Sequence, residues 1–237
     1  MEMFPDTVRI STPGGNGVRY FLEVSPQEQT QTIAVAGTRT FSDILHDIAF
    51  AIVPDNLLHA AFHEGFEAEA RLVYADVRPH LNPDYQVRLT GHSLGAAVSA
   101  ILMIYLQGDG YLIEPSINFG QPKFMNRASA ELYSDLPLQR VVDANDIVPM
   151  LPPRFLLHPT HGAYAHVGEE IILLEGAYFV HLTSHDAERL SVDQFWRDRD
   201  FASREDHHMA RYTERIAAKQ VLAQEVDYMV WRSMAAN

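Results

Sequence analysis

The sequence predicts an α/β fold with a mostly parallel central sheet and helices on both of its faces. Two observations carry this. First, β-rich runs alternate with helical runs along the chain, the order that builds crossover connections between parallel strands. Second, an apolar strand, a tight turn with glycine at both ends and an apolar helix follow one another directly from Tyr85 to Leu106. The 237 residues are 47% hydrophobic and 21% charged, which suits a single domain over 1–237 with a sizeable core. No linker, low-complexity block, charge run or repeat marks a boundary.

Taken in order, Val18 to Val24 and Gln31 to Ala36 are strand-like, the second ended by Gly37. Ser42 to about Ile52 has apolar residues at helical spacing (Ile44, Leu45, Ile48, Ile52) and is broken by Pro54-Asp55-Asn56. Phe66 to His80 is an amphipathic helix ended near Pro79 and Pro83. Tyr85 to Thr90 is a strand, Gly91 to Gly95 a turn, and Ala96 to Leu106 a buried helix. Ser116 to Phe119 and Leu138 to Asp143 are strands, with a helix over Arg127 to Leu136 between them. Glu170 to Leu174 and Ala177 to Leu182 form a hairpin about Gly176. A helical pattern over Glu205 to about Trp231 closes the chain.

The formal net charge is −13, which argues against nucleic acid as a partner and against electrostatic adhesion to anionic membranes. There is no cysteine, so no disulfide, thiolate metal site or cysteine nucleophile exists. The longest apolar run, Ala96 to Leu106, is too short to span a bilayer, so no transmembrane segment is expected. Met1-Glu2-Met3-Phe4-Pro5 lacks a basic region followed by an apolar one, so no signal peptide is expected; secreted and cytoplasmic locations both stay open, as does the oligomeric state.

The chemistry centres on Gly91-His92-Ser93-Leu94-Gly95, a G-x-S-x-G string between a strand and a helix. The turn strains the serine backbone, and larger side chains at the two glycines would clash. The hydroxyl then projects at the positive end of the following helix, where the Leu94 N–H can stabilise an oxyanion. A serine hydroxyl needs a histidine to take its proton and a carboxylate to orient that histidine, in the chain order Ser, acid, His. Asp143 and Asp146 both follow the strand over Leu138 to Val142; spacing favours Asp146, in the loop, over Asp143 at the strand end. The histidines available are His158, His161, His166, His181, His185, His207 and His208. His207 and His208 stand where a loop meets the last helix, the usual place for a base in this layout. Adjacent histidines face different ways and no third ligand falls at helical spacing, so no metal and no cofactor are expected.

Five segments together resemble the class 3 lipases, the fungal-type triacylglycerol lipases and their bacterial relatives. They are Ala36-Gly37-Thr38, His63-Glu64-Gly65-Phe66, Gly91 to Ala97 (GHSLGAA), Phe119-Gly120-Gln121-Pro122 and Asn145 to Pro152 (NDIVPMLP). The likeness covers roughly Thr32 to Tyr212 and implies an α/β-hydrolase fold. Its acid loop is the most specific signature and makes Asp146 the implied triad acid. Thr38 becomes the second oxyanion donor; where the family usually has Arg before this glycine, Ala36 stands here. Asp206-His207, followed by Met209 and Tyr212, resembles the family's final histidine motif, which makes His207 the implied base with His208 as the alternative. The absence of cysteine differs from the secreted fungal members and points toward a bacterial relative.

The resemblance also implies a helical lid at approximately 40–59, with Phe41, Ile44, Leu45, Ile48, Phe50 and Ile52 as its apolar face. Such a face would cover the serine and open at an oil–water interface, giving transient contact with lipid. The implied activity is hydrolysis of acylglycerol carboxyl esters in lipid catabolism, through an acyl-enzyme. The alternatives are a soluble carboxylesterase, a feruloyl-esterase-like enzyme or an acyltransferase without interfacial activation.

Overall fold

The computed structural model describes residues 7–15, 18–37, 52–152, 162–187, 189–190 and 203–235. Nine strands form the main sheet: β1 (Thr7–Ser11), β2 (Tyr20–Ser25), β3 (Thr30–Val35), β6 (Gln86–His92), β7 (Ser116–Phe119), β9 (Leu138–Asp143), β11 (Glu169–Leu173), β12 (Tyr178–Leu182) and β13 (Gln224–Glu225), in that spatial order. The centre, β3-β6-β7-β9-β11, is parallel throughout. Antiparallel pairs flank it, β1-β2-β3 on one side and the β11-β12 hairpin on the other, and the hairpin turns at Gly176 with φ 61°. A smaller antiparallel sheet holds β4 (Ile52–Asp55), β5 (Ala60–His63), β8 (Met125–Asn126) and β10 (Tyr164–Ala165), in the order β10-β8-β5-β4.

Helix α1 spans Glu64–Val77. His63 caps it, accepting at Nδ1 from the Phe66 N–H (3.4 Å), and Glu64 and Glu67 favour the positive N-terminus. Phe66, Ala70, Val73 and Val77 recur at three- and four-residue spacing and bury one face. Pro79 follows in a short 3-10 turn, Arg78–His80, where an α-helix would lose an amide donor. Helix α2, Leu94–Gly108, is buried along its whole length from Leu94 to Leu106. It is clamped between α1 and the central strands β3, β6 and β7. That position explains a helix apolar on every side.

The close approach of α2 to the sheet depends on two glycines. A Cβ on Gly95 would lie 2.4 Å from the Val35 carbonyl oxygen, and one on Gly91 would lie 2.4 Å from the Gly95 carbonyl oxygen. Those obstacles are backbone and cannot swing aside.

Three sequence expectations are corrected. Ile52, expected on the covering helix and its apolar face, is a strand residue: it pairs with His63 in β4-β5 and packs on Ala61 and Tyr164. A proline at Pro54 fits this edge strand and would have interrupted a helix. The remainder of the expected helix, including Phe41, Ile44, Leu45, Ile48 and Phe50, lies outside the described residues. Helix α3 covers only Arg127–Leu132, shorter than the periodicity suggested. The expected long last helix is broken into a 3-10 turn (Glu205–His207), α4 (Met209–Ala217), β13 and α5 (Tyr228–Ala235). Lys219 caps α4 by donating Nζ to the carbonyls of Arg215, Leu174 and Gly176. The chain then satisfies its amides on the sheet edge, Gln224 N–H to Ala177 O and Val226 N–H to Phe179 O (both 2.9 Å). Sheet pairing therefore overrides a helical pattern there.

Replacing Gly95 with Ala is expected to lower the unfolding free energy by about 3 kcal/mol or more, because helix and strand must separate. Urea denaturation reads this directly; an unchanged midpoint would mean that α2 can shift without cost.

Candidate active site

Strand β6 ends at His92, and the chain reverses at Ser93 with φ 60° and ψ −131° to start α2. A serine holds this left-handed geometry only at an energetic cost, which the surrounding contacts must offset. The Ser93 N–H donates to the Phe119 carbonyl (3.0 Å), while Ala96 and Ala97 donate to the Ser93 carbonyl (3.0 and 3.3 Å). Leu94 is the first helical residue, so its N–H has no acceptor within the helix. Gly37 lies against the turn from the side: a Cβ there would be 2.6 Å from the His92 carbonyl oxygen and 3.2 Å from the Ser93 Cβ. Thr38, the next residue, lies outside the described residues.

The acid loop leaves the end of β9. Asp146 N–H donates to the Asp143 carbonyl (3.0 Å), Asp146 Oδ1 accepts from Val148 N–H (2.9 Å), and Asn145 O accepts from Ser203 N–H (2.8 Å). Asp146 is buried, and its Oδ2 accepts from His207 Nδ1 at 2.8 Å and from the Tyr212 hydroxyl at 2.6 Å. The carboxylate can only accept, so Nδ1 carries the proton and Nε2 is left as an acceptor. Ser93 Oγ sits 2.7 Å from that Nε2. Burial, and then Asp146, hold the Tyr212 phenol well above its ordinary pKa, so it remains a donor.

The structure thus brings Ser93, His207 and Asp146 into one buried hydrogen-bonded chain. His208 is exposed at the start of α4, with no side-chain hydrogen bond to the helix. Asp143 accepts from Arg215 Nε (3.0 Å) and Asn145 N–H (3.4 Å); burial pushes its carboxyl up despite that guanidinium. His166 bonds through Nε2 to the Pro149 carbonyl (2.7 Å) behind the acid loop, and His181 pairs with Glu169 (3.0 Å) in the β11-β12 hairpin. His158 and His161 lie outside the described residues. Among the described residues no three His, Asp or Glu side chains are grouped to hold a metal, and no helix is long and apolar enough to cross a membrane.

Two neighbours were not legible as functional in the sequence. Gly120, in the turn after β7, has φ 54°, and a Cβ there would lie 3.0 Å from Asp146 Oδ2, His207 Cε1 and the Tyr212 hydroxyl alike. Its side-chain-free surface is one wall of the triad. His92 stacks on the His207 ring, with centroids 4.6 Å apart, and its Nε2 is 2.7 Å from the His207 carbonyl oxygen. Burial, then the neighbouring His207, push His92 down to about 4.

Comparison with known proteins gives this geometry a family. Residues 32–156, more than half of the chain, match the family described as lipase (class 3). The chain belongs to the class 3 lipase family. Among the relatives, the lipase of Rhizopus niveus is 30% identical over 154 residues, which cover 57% of this chain and 38% of that one. The secreted mono- and diacylglycerol lipase A of Penicillium cyclopium is 27% identical over 175 residues, 70% of this chain and 53% of the relative. The chain therefore spans between about two fifths and half of these relatives. The solved structure of lipase II from Rhizopus niveus superposes with a TM-score of 0.68, at 24% identity, over 87% of this chain and 80% of that one. This solved lipase shares the α/β-hydrolase fold described above.

Two outcomes are expected. Tyr212→Phe removes a donor from a buried carboxylate and should destabilise by about 2 kcal/mol in chemical denaturation at neutral pH. His92 is held near 4 against an ordinary value of 6.5, so below 6.5 the unfolded chain binds more protons than the native one. Its contribution is fully present above 6.5 and is lost, by up to about 3 kcal/mol, as pH falls toward 4. Unfolding curves of wild type and His92→Gln across this range should diverge, the variant losing less stability; parallel curves would refute the neutral state.

Proposed function

We propose that this protein is a lipase, a serine hydrolase that cleaves carboxyl esters of acylglycerols in lipid catabolism. The observation that carries the reading is the continuous hydrogen-bond chain from Asp146 through His207 to Ser93, ending on a strained serine at a helix N-terminus. Ser93 Oγ attacks the ester carbonyl as His207 Nε2 takes its proton. Asp146 holds the imidazole in the Nδ1–H tautomer and stabilises the imidazolium that forms. The Leu94 N–H and Thr38 receive the negative charge on the carbonyl oxygen. Loss of one such donor typically costs on the order of 10² to 10³ in rate. His207 then protonates the departing alcohol, and water cleaves the acyl-enzyme by the same route.

The substrate class follows the relatives, the lipase of Rhizopus niveus and the mono- and diacylglycerol lipase of Penicillium cyclopium. The cover proposed over the serine lies within residues 40–59, carries Phe41, Ile44, Leu45, Ile48 and Phe50, and stops short of Ile52. Its opening would bring the site into transient contact with an oil–water interface.

The test is hydrolysis of a p-nitrophenyl ester series, acetate to palmitate, by wild type and Ser93→Ala. The substitution is expected to cost on the order of 10⁴ or more in turnover, with long chains preferred by the wild type. Loss of activity with only short chains cleaved would keep the chemistry and give a soluble esterase instead. Equal activity of the two proteins would remove Ser93 from the reaction. For the cover, rate should climb more steeply above the solubility limit of an ester than below it; a smooth saturation curve through that limit rules out interfacial activation.

A further inference from the structure

His92 stands beside the nucleophile, yet the reaction above gives it nothing to do. Its surroundings are specific. His207 ends a 3-10 turn, Glu205–His207, whose start is held by the Ser203 hydroxyl, accepting from Glu205 and Asp206 N–H (3.0 and 3.3 Å), and whose end has two long backbone bonds: His207 N–H to Arg204 O at 3.3 Å and His208 N–H to Glu205 O at 3.2 Å. Helix α4 begins at Met209, and the Arg211 and Tyr212 amides in its first turn bond to the His208 carbonyl rather than to that of His207. The His207 carbonyl instead meets His92 Nε2 at 2.7 Å, and the two rings stack at 4.6 Å with 29° between their planes. The Tyr212 ring closes the far side edge-on, 5.8 Å from His92.

We propose that His92 is a positioning residue for the base: as the neutral Nε2–H tautomer it donates to the His207 carbonyl and holds the imidazole between Asp146 and Ser93. This rests on the triad reading and deepens it. The carbonyl can only accept, so Nε2 must be the protonated nitrogen whenever the bond exists. Strand β6 is pinned on both edges by β3 and β7, so a bond from its last residue ties the His207 carbonyl, at the end of the turn, directly to the sheet. The stack has a second consequence. When His207 takes the serine proton, it becomes a cation beside a ring held neutral, so no second positive charge opposes it. The groups facing His92 are His207, His208 and Tyr212 from the C-terminal segment and Asp146 from the acid loop. Burial and the proximity of His207 both favour its neutral form.

The test begins with the intact wild-type protein. Ring ¹⁵N shifts of His92 should report a protonated Nε2 and a bare Nδ1 from about pH 8 down to about pH 5. An imidazolium, or the Nδ1–H tautomer, at about pH 6 would overturn the proposal, and this reading needs no variant to fold. His92→Phe keeps a ring and loses the donor; kcat per site titrated with a phosphonate should fall about tenfold or more with KM little changed. His92→Gln places an amide N–H near the same point and should recover most of that loss. A merely structural role would lower the melting temperature of both variants without separating their kcat values. Equal kcat in Phe and Gln variants, or wild-type kcat in the Phe variant, overturns the positioning role. Full activity in Ser93→Ala would instead sink the triad reading itself, so the two failures are distinct.

Discussion

The site depends on how closely α2 can approach the parallel sheet. Helix and strand meet backbone to backbone at Gly95, where even a methyl group would lie 2.4 Å from the Val35 carbonyl. That contact lets β6 run straight into α2 through one residue, and the residue absorbing the reversal is Ser93 at φ 60°. The strain is local, but what sustains it is global: a helix buried along thirteen consecutive residues cannot relax away from the sheet. The serine is therefore presented between a buried helix and a strand paired on both edges.

A second constraint is the pair of buried carboxylates at the end of β9. Asp143 and Asp146 are both fully buried three residues apart, which would be costly without partners. One helix face answers both. Tyr212 and Arg215, three residues apart on α4, point the same way; the phenol donates to Asp146 and the guanidinium to Asp143. The two carboxylates thereby acquire different work. Asp143, held by a permanent cation, anchors α4 to the sheet. Asp146, surrounded by the neutral donors Tyr212, Val148 N–H and His207, keeps its charge available to an imidazole that becomes cationic. Gly120 makes room for the meeting of the three groups, and any side chain there would part them.

Much of this was legible beforehand because it is local. Seven of the main-sheet strands and helices α1 and α2 match the sequence reading, since each buries a face whose spacing the fold demands. The serine turn was legible because its glycines have no other reason to stand where they do. Misreadings fall where long-range contacts decide. Ile52 looked helical among Ile44, Leu45 and Ile48, but pairing with His63 and packing on Tyr164 draw it into a strand. The last helix was read as continuous because nothing within it signals that Gln224–Glu225 will pair with β12. Spacing alone preferred Asp146 to Asp143 without separating them, and their difference proves to lie in α4, some seventy residues away.

The sequence by itself determined the α/β class, the strand–turn–helix that carries Ser93, and a short set of acids and histidines in a meaningful order. These are properties of neighbours along the chain: periodicity, turn chemistry and the steric needs of glycine. The family resemblance pointed to His207 over His208, but only the tertiary structure brought a histidine to Ser93: His207 is buried between Ser93 and Asp146, and His208 is exposed beside it. The tertiary structure alone revealed the supports of the site, Tyr212 on Asp146, His92 on His207 and Gly120 between them. Hydrogen bonds and ring stacks between residues a hundred positions apart leave no periodic trace, and a chain must be folded before such partners exist.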